Sequence, residues 1–188
     1  MVRSTWRHTL AILFGVCALA LVASVHQSLG QRPASASSVG VTPAASATAS
    51  PPECRAADLR ADYRARDAAA GHRYGVIRLR NAGDHACVVQ GYGGLSYVGG
   101  GDGTEVGAPA DREPATARPV VLAPGERALS RVSETVAENY PRKDCRPVEV
   151  DGFRVYAPDA TKAFFVLHPT TGCLDDSVHL LSHRPFHG

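Results

Sequence analysis

The sequence predicts an all-β fold, a single β-sandwich domain over residues 53–188 stapled by two disulfides. Three observations carry that expectation. Short apolar or alternating runs recur between residues 59 and 182, separated by Gly, Pro and Asn turns at the spacing of a sandwich. Four cysteines, an even number, follow a segment that reads as an export signal. The roughly 135 residues from Glu53 onward suit eight or nine strands around one core.

Residues 59–65 (Leu59, Arg60, Ala61, Asp62, Tyr63, Arg64, Ala65) alternate apolar and polar with period two. The competing reading is a helix, because Ala and Arg are good helix formers. Residues 73–80 form a clear strand pattern, ended by the turn Asn81-Ala82-Gly83-Asp84. Runs at 87–90 and 95–98 follow, with a glycine-rich loop or hairpin tip at 99–103. Residues 120–122 lead into the turn Pro124-Gly125, and 128–132 continue from it. The last expected strands are 148–156, 163–167 and 177–182, and no internal repeat is visible.

The N-terminal residues 1–31 read as a signal peptide, or alternatively as an uncleaved membrane anchor. Arg3 and Arg7 precede an uncharged run over 9–25, the basic-then-apolar order of export signals. As a helix that run reaches about 25 Å, just short of a bilayer core. Small residues suit cleavage near Ser24 or after Ala36. In either case the basic end stays cytoplasmic and everything after it is exported. Cys17 follows Phe14-Gly15-Val16, and Val16 is wrong for lipidation, so a buried thiol in the signal helix is the expected state. Residues 32–52 are rich in Ala, Ser, Thr and Pro with no aromatic and no acid, the composition of a disordered linker.

Cys54, Cys87, Cys145 and Cys173 allow three disulfide connectivities. The sequential pairing, Cys54–Cys87 with Cys145–Cys173, is favoured; it closes two loops, each worth about 3–4 kcal/mol in the chain-entropy model. No two of these cysteines stand as close as a zinc site requires. Charge excludes a further class. Three of the 20 basic residues and none of the 18 acidic ones precede Glu53, leaving 17 against 18 in the domain. Such a balance lacks the footprint of a nucleic-acid binder.

The pattern Gly71-His72-x-Tyr74, Leu79-x-Asn81-x-Gly83-x-x-x-Cys87 and Gly91-Tyr92-x-Gly94-x-Ser96 continues with Val106-Gly107-Ala108-x-Ala110-x-Arg112 and Pro124-Gly125. With cysteines in the C-terminal third, it resembles a family of exported actinobacterial domains catalogued only as a domain of unknown function. The resemblance spans nearly all of residues 54–182. It implies a secreted protein or lipoprotein with an immunoglobulin-like sandwich, and it supports the strand reading of 59–65. This chain departs from the family pattern in two ways: Gly93 stands where a proline is common, and the lipid anchor of many members is absent. The family has no assigned catalytic residues to carry over.

Local patterns point to no reaction. Gly94-Leu95-Ser96-Tyr97-Val98 lacks the last glycine and the following helix of a nucleophile elbow. The glycines lack the Gly-Lys-Ser/Thr ending of a P-loop, and Asp102 with Glu105 supply too few oxygens for calcium. His179, His183 and His187 would share a face of a helix, near Asp175 and Asp176, but Val178 to Leu181 read as a strand and Pro185 breaks a helix. A mobile His-rich tail is expected instead of a metal site. His72, Tyr74 and Arg112 are the polar positions of the family pattern and form the expected ligand-binding or structural cluster. Asn81 is expected to serve its turn, and Tyr92 to bond backbone as a corner tyrosine.

These readings converge on an exported, non-catalytic binding or interaction module of the cell envelope or extracellular space. No cofactor, metal or nucleic acid is expected, and the membrane enters only through an uncleaved N-terminal helix. The rival is a secreted enzyme or metal-binding protein whose site forms only in three dimensions.

Overall fold

The computed structural model describes residues 50–188; the expected signal or anchor and nearly all of the expected linker lie outside the described residues. Among the described residues eleven strands form three sheets. The first sheet runs β1 (Leu59–Ala69), β2 (His72–Asn81), β8 (Arg127–Thr135), β11 (Leu181–His183) and β6 (Asp111–Arg112), antiparallel except for the β11–β6 pair. The second runs β10 (Ala163–Cys173), β9 (Pro147–Tyr156), β4 (Gly94–Gly99) and β5 (Thr104–Val106), all antiparallel. A short pair, β3 (Cys87–Val89) with β7 (Val120–Leu122), completes the set.

Alternation explains why β1 is a strand despite its helix-forming composition. Leu59 is fully buried and Ala61 and Tyr63 pack against the core, while Arg60 and Arg64 are exposed. A helix would scatter these residues around its circumference. Across β2 and β8, Ile77, Leu79, Ala128 and Val132 join the same core, and Tyr97, Phe153, Val155 and Val166 enter it from the second sheet. The β1–β2 hairpin turns through Ala70 and Gly71, at φ 49° and 78°, as a two-residue turn with both centres left-handed demands.

Asn81 is fully buried and clasps its turn. Its Nδ2 donates to the carbonyls of His85 (2.8 Å) and Leu122 (2.9 Å), and its Oδ1 accepts from the Gly83 amide (2.9 Å). Both bridges pair sequentially, Cys54 with Cys87 and Cys145 with Cys173. The first ties the lead-in segment to β3, and the second ties a four-residue helix, α1 (Arg142–Cys145), to the end of β10.

The C-terminal third differs from the sequence reading. The strand expected at 177–182 is confined to Leu181–His183. Asp175 instead accepts from the Ser177 amide (3.1 Å) and hydroxyl (2.6 Å), a local turn that competes with extension. β10 runs on to Cys173 because a bulge between Leu167 and Thr170 absorbs Pro169, which has no N–H to give. The tail beyond β11 is built in: Phe186 is 2 % exposed, and His187 exchanges backbone hydrogen bonds with Leu129 at 2.8 and 2.9 Å. It therefore does not behave as the mobile tail that its composition suggests.

Candidate functional site

Two polar centres stand out, one buried and one open. The buried centre is Glu134. The inward phase of β8 is Ala128, Ser130, Val132 and Glu134, so alternation sends this carboxylate into the core at 0 % exposure. Three donors meet it: the Tyr63 hydroxyl at 2.8 Å, the Tyr97 hydroxyl at 2.7 Å and His168 Nε2 at 2.9 Å. They come from β1, β4 and β10, so the contacts join the two larger sheets. Phe153 stacks between Tyr97 and His168, with centroids 5.4 and 4.6 Å away and planes within 12° and 9°. The His168 side chain is 17 % exposed and Tyr63 is half-buried, so the cluster reaches solvent through both.

The electrostatics follow from this geometry. Burial pushes the Glu134 carboxyl up, but hydrogen bonds from His168 and Tyr97, the His168 imidazole and the Tyr63 hydroxyl outweigh it, and the group lies below its ordinary value. Both phenols are pushed well above theirs, first by burial and then by the Glu134 carboxylate. They stay protonated as donors. Glu134 is thus an inter-sheet clasp with its oxygens in use, and the main surface cavities lie elsewhere.

Glycines make room for the clasp. A Cβ on Gly75 would lie 2.3 Å from the Tyr63 ring, and one on Gly152 would lie 2.3 Å from the Val166 carbonyl beside the His168 bulge. Gly75→Ala should therefore displace Tyr63 from Glu134. The expected loss is about 1–3 kcal/mol, read as a lower denaturant midpoint; an unchanged midpoint would show that the ring has another place to go.

The open centre is a groove of about 430 Å³ lined by Gln90 to Gly94, Arg112 and Tyr156 to Ala160. A smaller hollow of about 120 Å³ adjoins it, sharing Gln90, Ala157, Pro158 and Asp159 and adding Glu53 and Cys54. The Arg112 guanidinium lies 5.5 Å from the Tyr92 ring centroid, within cation–π range, and Nη2 reaches the Gly93 carbonyl at 3.5 Å. Tyr92 is itself pinned: its hydroxyl donates to the Glu113 carbonyl and accepts from the Ala115 amide at 3.0 Å. His183 meets the ring edge-on at 5.7 Å. Among the described residues no carboxylate lies within 4 Å of Arg112. The floor is close-packed, since a Cβ at Gly93 would come 2.2 Å from the Tyr156 carbonyl. The far wall is the turn at Pro158-Asp159, where Asp159 has φ 56° and Ala160 N–H bonds the Ala157 carbonyl at 3.1 Å.

Behind the groove, His183 is buried beside Ser130. The Ser130 hydroxyl donates to the Arg184 carbonyl at 2.6 Å and lies 3.4 Å from His183 Nδ1. Burial, and then the Arg112 charge, hold the His183 imidazole below its ordinary value of 6.5. A depressed histidine stabilises the fold above its unfolded pKa, and that contribution is lost as pH falls below 6.5 towards the folded value. Thermal unfolding should thus come earlier as the pH drops from 7 to about 5, and His183→Gln should flatten that dependence. An equal slope in the variant would assign it elsewhere.

The remaining sequence candidates are placed as follows. His72 and Tyr74 sit together on β2, rings 6.1 Å apart and 23° from parallel, with His72 Nδ1 3.3 Å from Thr135 Oγ1. Arg112 is on β6, separated from β2 by β8 and β11, so the three do not share one site. Ser96 is buried with its hydroxyl 3.3 Å from Glu105, and Asp102 caps its own loop through Thr104. His179 bonds Asp111 at 2.9 Å, His183 faces Tyr92, and His187 lies 2.9 Å from the Gly188 carbonyl. Among the described residues no three metal-ligating side chains gather. Sequence reading missed Glu134, Tyr63, Tyr97 and His168. Glu134 was findable, as an acid on the apolar phase of a strand.

Comparison with known families decides the affiliation. Residues 54–187 match the model described as a domain of unknown function, DUF4232. The chain belongs to DUF4232. No curated protein and no solved structure matches it. In this DUF4232 domain the matched span holds all four bonded cysteines, the Glu134 clasp and the whole groove.

Proposed function

We propose that the domain is an exported, non-catalytic binding module of the cell envelope or extracellular space, built on an immunoglobulin-like sandwich. The observation that carries this reading is the groove: a guanidinium without a carboxylate partner, laid on a pinned tyrosine above a close-packed glycine floor. Such a surface offers a cation and an aromatic face for recognition, with Asp159 on the facing wall. The buried side-chain nitrogens and oxygens among the described residues all have partners, as a rigid scaffold requires. Two disulfides suit an oxidising compartment and a rigid scaffold. Two facing β layers and a corner-type Tyr92 support the sandwich.

The test is binding of the purified protein to an isolated actinobacterial envelope fraction. The expected result is saturable binding that Arg112→Ala weakens about tenfold, the scale of one charge-assisted contact. The envelope components should keep their masses after long incubation. A covalent change in any of them would make the protein an enzyme, and binding indifferent to Arg112 would move the site off the groove.

A further inference from the structure

The near-neutral charge of the domain hides a one-sided distribution. In the register of the first sheet, Arg60 on β1 lies directly opposite Arg80 on β2, and Arg80 lies directly opposite Arg127 on β8. All three are exposed and alternate with the buried Leu59, Leu79 and Ala128, so they point outward in one row. Neighbouring strands are about 4.8 Å apart, and like charges placed directly opposite are destabilising. A second row, Arg64 and Arg131 with Val76 between them, crosses the same face four residues further along, about 13 Å away. With Arg78, six arginines on the outward face of these strands stand against Asp62 and Asp67. Asp62 is taken by Arg78 at 2.6 Å, and among the described residues Arg80, Arg127 and Arg131 have no carboxylate partner within 4 Å. Folding thus spends stability to gather cations that composition spreads evenly.

We infer that this face docks on an anionic membrane surface. This rests on the export reading but not on the groove. The cations form a two-dimensional array across three strands instead of a single track, which matches a plane of phosphate headgroups better than a thread. Arginine is the cation whose planar fork pairs with phosphate oxygens, and basic clusters bind anionic leaflets through such contacts. Position agrees. The chain enters the domain through Cys54 and the lead-in to β1, so the Arg60–Arg80–Arg127 row lies at the end where the N-terminal segment joins. That segment carries the apolar run at 9–25.

The experiment uses the full chain in vesicles, with Trp6, its single tryptophan, replaced (Trp6→Phe) and a reporter placed beside the row at the exposed turn residue (Ala82→Trp). Energy transfer to a headgroup-labelled lipid reads the approach of the domain. Transfer should be at least about twofold higher with about 30 mol% phosphatidylglycerol than in neutral vesicles. It should return to the neutral level in about 0.5 M salt, where charges are screened within a few ångström. Arg60→Gln/Arg80→Gln/Arg127→Gln should abolish the gain. Arg60 also donates to the Ala57 and Leu59 carbonyls, so stability is read on Arg80→Gln/Arg127→Gln, which should unfold no earlier than the parent because it relieves like-charge repulsion; a purely structural pair would instead lower the midpoint. Equal transfer in neutral and anionic vesicles overturns the inference. So does binding of inorganic polyphosphate by a chain indifferent to anionic vesicles, which would assign the face to a polymer. Export is not at issue in this assay, so its failure leaves the export reading standing.

Discussion

Glu134→Ala should lower domain stability by about 3–5 kcal/mol, the usual cost of breaking a buried charged network by removing one member. For a domain of this size that is a fall of roughly 10–15 °C in the unfolding midpoint. The physical content is specific. Removing the carboxylate takes away the charged acceptor shared by the Tyr63 and Tyr97 hydroxyls and His168 Nε2, and each buried donor left without a partner costs its desolvation. Glu134→Gln keeps one acceptor oxygen and should lose about half as much. The wild-type clasp also has an acid limit. A carboxyl held below its unfolded value near 4.5 contributes stability above that pH, and the contribution is lost as pH falls through the folded value. Glu134→Ala should therefore lose stability least steeply in acid. Thermal unfolding from pH 7 to about 3 checks both statements. A variant as stable as the wild type would mean that the sheets are held by apolar packing alone.

The second large effect concerns the bridges. Replacing Cys145 and Cys173 by alanine reopens a loop whose ends are 28 residues apart, costing about 3–4 kcal/mol in the chain-entropy model. Both sulfurs are buried in the core, at 0 % and 2 % exposure, so a cavity term adds to the entropic one. The Cys54–Cys87 loop is of similar length, 33 residues, but Cys54 is only partly buried. Its removal should cost less and mainly free the lead-in segment from β3. Guanidinium unfolding of the two double variants orders them. Equal losses would mean that loop closure, and not burial, sets the contribution of both bridges.

Much of the scaffold was legible because its signals are local. Period-two alternation marked β1, bounding turns marked β2 and β8, and Asn81-Ala82-Gly83 marked a turn that the Asn81 side chain closes. Short β5 and β6 were not legible, since two or three residues carry no period. The end of β10 was missed because Pro169 reads as a stop unless a bulge is known to absorb it. The functional surfaces were harder. Arg112 stood out as a polar family position, yet its partner Tyr92 and the facing Pro158-Asp159 wall depend on contacts between distant segments. The arginine row is the clearest case. Arg60, Arg80 and Arg127 lie in separate runs, and only strand register makes them neighbours.

The proposed function requires an exported domain folded with two sequential disulfides. The most direct test is the non-reduced mass and peptide map of the protein as produced by an actinobacterial host. The prediction is a chain outside the cytoplasm, four hydrogens lighter than its reduced form, with peptides joined as Cys54–Cys87 and Cys145–Cys173. A chain beginning between residues 25 and 37 would also establish cleavage of the signal, and recovery from membranes with the N-terminus intact would establish the anchor. Free thiols at these positions, or a chain confined to the cytoplasm, would contradict the account.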